Sequence, residues 1–136
     1  MAAAGPNQAV HALIIALDNE VPAQMPGTEV LVVAPALNPG LRRWFSDEDR
    51  ARRDAKERAA SSVQHLKRHG VHAEGRVGDP DPLLAIADAL ATFPADEIVI
   101  AARPERSSTL VDDLVARAHA RFALPVYRTG RLPRAA

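Results

Sequence analysis

Arg103-Pro-Glu-Arg-Ser-Ser-Thr109 is the segment whose residue types could do chemistry. Two guanidinium groups and three hydroxyls lie between an apolar run and an amphipathic stretch. Anions bind at such places, where a strand ends and a helix begins, through helix N–H groups and basic side chains. Arg103, Arg106, Ser107 and Ser108 could together hold a phosphate; the plainer reading is a capped helix with solvated arginines. His65, His69 and His72 invite a metal reading, because residues four apart share a helix face. Gly70 breaks that helix before His72 and no carboxylate completes the set, so solvated histidines are expected and no metal. Asp112, Asp113 and the acids Asp47–Asp49 read as charged helix faces. The two lysines, Lys56 and Lys67, both fall in one helical stretch, which leaves a phosphorelay receiver without its lysine. No G-x-S-x-G elbow occurs, and no constellation for catalysis is found.

The elements that must position these residues follow from periodicity. Glu29-Val-Leu-Val-Val-Ala34 and Glu97-Ile-Val-Ile-Ala-Ala102 are continuous apolar runs without alternation. Strands buried on both faces of a parallel sheet read this way. Val71–Val77 is a weaker strand, and Pro125-Val-Tyr-Arg128 a short last one, placed at an edge by its proline. Ser46 opens a long helix with an acidic first turn. Ala51, Ala55, Ala59, Val63 and Leu66 make its face, and Gly70 ends it. Asp81 caps a second helix with Pro82 at its first position; its face is Leu83, Ile86, Ala87, Leu90 and Ala91. Ser107-Ser-Thr109 caps a third, with face Leu110, Val111, Leu114, Val115, Ala118 and Phe122. Trp44 and Phe45, beside Arg42 and Arg43, read as a staple onto the long helix or as an exposed contact. Residues 10–17 fit a helix and a central strand alike. The strand reading is preferred, although the linker from Asp18 to Thr28 is then short for a parallel crossover. Alternating strands and helices imply βαβ units. The expected organisation is a tail over residues 1–8, one α/β domain over 9–129 and a tail over 130–136, both tails flexible.

Composition narrows the function classes. The 136 residues are 47% hydrophobic and 25% charged, which is ordinary for a globular domain. Seventeen basic residues balance seventeen acidic ones, and aromatic residues make up 4%; neither points to a nucleic-acid partner. No apolar segment approaches the roughly 18 residues of a membrane span, and no basic start precedes Ala9–Leu17 as a secretory signal requires. There are no cysteines, which removes thiolate chemistry and disulfides and fits a cytoplasmic setting.

Four pieces, in order, resemble the universal stress protein family. Arg76-Val-Gly-Asp-Pro-Asp-Pro-Leu-Leu-Ala-Ile-Ala-Asp-Ala-Leu90 resembles its third strand and following helix. Asp96-Glu-Ile-Val-Ile-Ala-Ala102 resembles its fourth strand, and Leu124-Pro-Val-Tyr127 its last. Val30-Leu-Val-Val-Ala-Pro-Ala-Leu-Asn38 stands for the second strand, in a form found in actinobacterial members. The resemblance covers residues 29–129. It implies a Rossmann-like (HUP-type), three-layer α/β/α fold on a mainly parallel sheet of about five strands. It also implies frequent homodimers, bound ATP or AMP in many members, and a stress-associated regulatory role. It places Ala34, Pro35, Gly78 and Asp79 along the nucleotide cleft, with Asn38 beside them, and matches Asp18 to the family's first-strand aspartate. ATP-binding members follow the fourth strand with G-x2-G-x9-G-[S/T], whose glycines let backbone N–H groups approach phosphates. Here no glycine occurs between Gly78 and Gly130, and Pro104 removes a further N–H. The expected ligand is therefore a nucleotide or other phosphorylated small molecule held without the glycine cradle. The alternative is a module that has lost its ligand and pairs through the Pro125–Arg128 edge.

Overall fold

A computed structural model describes residues 10–19, 28–37, 47–106 and 108–129. In chain order the elements are β1 (Val10–Ala16), β2 (Thr28–Pro35), α1 (Asp47–Arg68), β3 (His72–Gly78), α2 (Pro82–Thr92), β4 (Glu97–Ala101), α3 (Ser108–Phe122) and β5 (Val126–Arg128). The expected tails, Ser46, Trp44, Phe45 and Ser107 lie outside the described residues.

Residues 10–16 form a strand, and its place explains why their period was ambiguous. The sheet order is β3-β2-β1-β4-β5, with β1 in the middle, and every pairing is parallel. Ile14 lies beside Val32 on one side and Val99 on the other. Ala12 through Ala16 are wholly buried. A central strand must be apolar on both faces, so alternation disappears and helix and strand patterns converge.

Alternate residues of the strands feed two cores. Ala12, Ile14, Val32 and Val99 pack with Ala51, Ala55, Ala59 and Leu66 of α1. Leu13, Leu31 and Ile98 pack with Ile86 and Ala89 of α2 and with Val111 and Ala118 of α3. Helices therefore cover both faces, and the chain has the Rossmann-like three-layer α/β/α architecture. The small side chains on α1 let that helix lie close to the sheet. Its end is a Schellman turn: Val71 N–H donates to Leu66 O and Gly70 N–H to Lys67 O, with Gly70 at φ 80°. The start of α2 is as the sequence requires, with Asp81 accepting from Leu83 N–H at 3.0 Å.

Two helix faces keep the register of the sequence reading, with Leu83, Ile86 and Leu90 of α2 and Val111, Leu114, Val115, Ala118 and Phe122 of α3 on the core, but depart from it at single positions. On α2 the buried positions are Ala85, Ile86 and Ala89, while Ala91 is exposed. On α3 Leu110 is 70% exposed and Val111 takes the buried position. In both cases small residues turn inward, where two helices share one face of the sheet, and a longer side chain is left outside. Among the described residues no helix is long and apolar enough to cross a membrane.

Candidate functional site: an arginine-lined crevice at the strand ends

From β1 the chain moves to β2 on one side; from β4 it moves to β5 on the other. The loops after β1 and β4 therefore part, and the crevice between them is where open α/β sheets bind ligands. Asp18 closes the end of β1. Its N–H and that of Leu17 both donate to Ala101 O, each at 3.0 Å. That fixes the carboxylate beside the loop that follows β4.

The loop grips it. Arg106 Nε donates to Asp18 Oδ2 at 2.8 Å and Arg106 Nη2 to Oδ1 at 2.9 Å. Arg103 N–H donates to Oδ2 at 2.9 Å, and the Arg103 guanidinium stands 3.7 Å from Oδ1. The Asp18 side chain is only 10% exposed. Burial pushes its pKa up, but the Arg106 side chain, the Arg103 N–H and both positive charges outweigh burial and hold it below the ordinary carboxylate value. The same hydrogen bonds raise the pKa of Arg106 against a smaller effect of burial.

A third arginine comes from α1. Arg58 Nε donates to Ala16 O at 2.7 Å, and its Nη2 donates to Pro35 O. It thus ties the last carbonyls of β1 and β2 together. Burial lowers its pKa, with the Asp18 charge pulling the other way. Beside these groups opens a cavity of about 510 Å³, whose lining includes Arg50, Asp54, Arg58, Arg103 and Arg106 along with Asp18.

Three backbone amides at this point are occupied. Ala102 N–H donates to Thr129 Oγ1 at 3.1 Å, Arg103 N–H to Asp18, and Arg106 N–H to Arg103 O at 3.1 Å. From this loop the guanidinium-bearing Arg103 and Arg106 line the cavity. Bidentate recognition of a carboxylate or phosphate is what such forks do.

The structure brings together Asp18, Arg103 and Arg106. Ala34 is wholly buried in the core, and Pro35 contributes its carbonyl to Arg58. Gly78 ends β3 and Asp79 follows it, both outside the lining of this cavity. A Cβ on Gly78 would stand 2.6 Å from Val33 Cγ1 and 3.0 Å from Ala85 Cβ, so glycine there serves close packing of α2. Asp79 Oδ1 accepts from Asp81 N–H at 2.9 Å and shapes the turn. Ser108 begins α3. The His65 and His69 rings meet at a tilt with centroids 4.7 Å apart, and no group of metal-ligating side chains occurs among the described residues. Arg50 and Arg58 were not singled out in the sequence. Arg58 had a readable signal: it lies three residues after buried Ala55 and four before buried Ser62, a charge set into the apolar stripe.

A larger cavity, about 830 Å³, lies at the opposite edge, around His11, Glu29, His72, Glu74 and Phe93. His11 and Glu29 of its lining stand 3.4 Å apart with both side chains exposed.

No protein-family model matches the sequence, and comparison with curated proteins gives no match. Among solved structures, a universal stress protein from Archaeoglobus fulgidus is similar, with 18% identity over 89% of this chain and 93% of that chain and a TM-score of 0.55. What the chain shares with that stress protein is its fold, the Rossmann-like layering of helices on a five-stranded parallel sheet.

Proposed function

We propose that the chain is a universal-stress-protein-like regulatory module that binds a nucleotide or other phosphorylated small molecule at the carboxyl ends of β1 and β4. The supporting observation is the cavity at the sheet's switch point, lined by Arg50, Arg58, Arg103 and Arg106. Guanidinium groups take over the work of the glycine cradle, so recognition falls on the phosphate and not on a backbone-wrapped triphosphate. The proposed role is binding, in a cytoplasmic setting. Titration calorimetry with ATP, AMP, cyclic AMP and a sugar phosphate tests this. Heat with at least one of them, lost in Arg103→Ala, is expected. Absence of heat with all four sinks the reading.

A second reading has its own observation. Among the described strands β5 pairs only with β4, leaving an open edge, and Tyr127 on it is 54% exposed. Open edges are pairing sites, which supports a homodimer that has dispensed with a ligand. Light scattering at high concentration decides it: a monomer there is incompatible with that role.

A further inference from the structure

We propose that Asp18 is a built-in competitor for the crevice: its carboxylate occupies the Arg106 fork until a ligand carrying a dianionic group, such as a phosphomonoester, displaces it. This inference rests on the ligand-binding reading above and adds how the site is controlled and which anions it admits.

The geometry carries the argument. The Nε/Nη2 edge of Arg106 is the face that grips a phosphate in two parallel hydrogen bonds. In this structure that edge is filled by Asp18 at 2.8 and 2.9 Å. The nearest backbone donor, Arg103 N–H, is filled by the same carboxylate. A carboxylate tethered to the backbone by one methylene presents itself at an effective concentration on the order of millimolar or above. A monoanion that merely replaces it exchanges like for like and gains nothing.

Charge decides what can win. Among the described residues lining the cavity, four arginines face Asp18 and Asp54. Four minus two leaves two positive charges. Arg58 keeps its charge while donating to the neutral carbonyls of Ala16 and Pro35. The Arg103 side chain is 56% exposed and held only loosely, 3.7 Å from Asp18 and 4.0 Å from Glu105. A dianion seated between Arg103 and Arg106 therefore meets attraction that one carboxylate does not satisfy. Asp18 then turns out to solvent, and the loop after β4 is released from β1.

The test uses the full chain with glucose 6-phosphate, inorganic phosphate and acetate as probes. Wild type is expected to bind glucose 6-phosphate weakly and acetate not at all. Asp18→Asn, which keeps the shape but loses the charge, should bind glucose 6-phosphate at least about tenfold more tightly. Arg106→Gln should lose it. If wild type binds and a folded Asp18→Asn binds equally or less tightly, Asp18 organises the arginines and the competitor idea is overturned, while the ligand-binding reading stands. If neither protein binds either phosphate, the competitor idea is overturned, while the ligand-binding reading is decided by the nucleotide titrations above. A measurement on wild type alone avoids any folding defect of the variant. Saturating glucose 6-phosphate should speed hydrogen exchange at the Arg103 amide, because its acceptor leaves. Unchanged or slower exchange at saturation overturns the proposal.

Discussion

The two ends of one sheet are built differently. At the carboxyl end the cavity is the smaller, about 510 Å³, yet its charges interlock: one nearly buried carboxylate is held by Arg103 and Arg106, with Arg58 close by. At the amino end the cavity is larger, about 830 Å³, and its charges are loosely matched in solvent. His11 stands 3.4 Å from Glu29 and 4.0 Å from Asp96, and all three side chains are at least 40% exposed. Cavity size therefore does not locate the chemistry. Strand direction does. Loops leaving β1 and β4 diverge over carbonyls that need donors, and arginines supply them. At the amino ends of β3 and β4 the chain arrives through helix ends whose hydrogen bonds are already made.

The sharpest way to break this contrast is to empty the carboxyl end. Arg106→Ala leaves Asp18 nearly buried with only the Arg103 N–H and a distant guanidinium. Removing one partner of such a pair costs about 3 kcal/mol, tempered here because Arg106 is 32% exposed. Urea denaturation should show a loss of about 2 kcal/mol or more. A loss below about 0.5 kcal/mol would mean the clasp adds little to stability.

Gly78→Ala separates packing from ligand binding at the same end. The added methyl meets Val33 Cγ1 at 2.6 Å and Ala85 at 3.0 Å, and overpacking of this kind costs about 1–3 kcal/mol. We expect a loss of about 2 kcal/mol in thermal or urea unfolding and no selective loss of phosphate binding in protein that remains folded. A fully stable variant that cannot bind phosphate would return Gly78 to the site.

Acid titration sharpens the contrast further. The folded-state pKa of Asp18 is depressed. Its stabilisation is therefore complete above the unfolded carboxyl value, roughly 4, and is lost as pH falls through the lower folded value. Urea midpoints measured downward from about pH 6 should fall less steeply in Asp18→Asn than in wild type. Parallel curves would show that other carboxylates govern the acid arm.

Much of this was legible beforehand for one reason and hidden for another. Runs such as Glu97–Ala102 and the cap at Asp81 report local rules, and β4 and α2 formed where those rules put them. Asp18, Arg103 and Arg106 could be named as candidates, but their union could not: residues 85 and 88 positions apart meet only because β4 pairs with β1. Arg58 was passed over because charge on a helix is usually solvated, whereas here it crosses to the strand ends. The inward turn of Ala85, with Leu84 left 42% exposed, depends on how closely α2 approaches Gly78, which periodicity does not encode.

The smallest expected effect closes the comparison from the other side. His11→Ala removes the imidazole that lies between Glu29 and Asp96 and meets the Phe93 ring edge-on with centroids 5.5 Å apart. Exposed pairs of this kind contribute about 0–1 kcal/mol and weaken with salt. The backbone exchange that anchors β1 to the turn before β4 survives the substitution, since Asp96 N–H donates to His11 O at 2.7 Å and Asp96 Oδ2 accepts from His11 N–H at 2.9 Å. A loss of about 0.5 kcal/mol or less is therefore expected. A loss as large as that from Arg106→Ala would show that the amino end also carries a charge-locked site, and that exposure is a poor guide to which end of this sheet holds the chemistry.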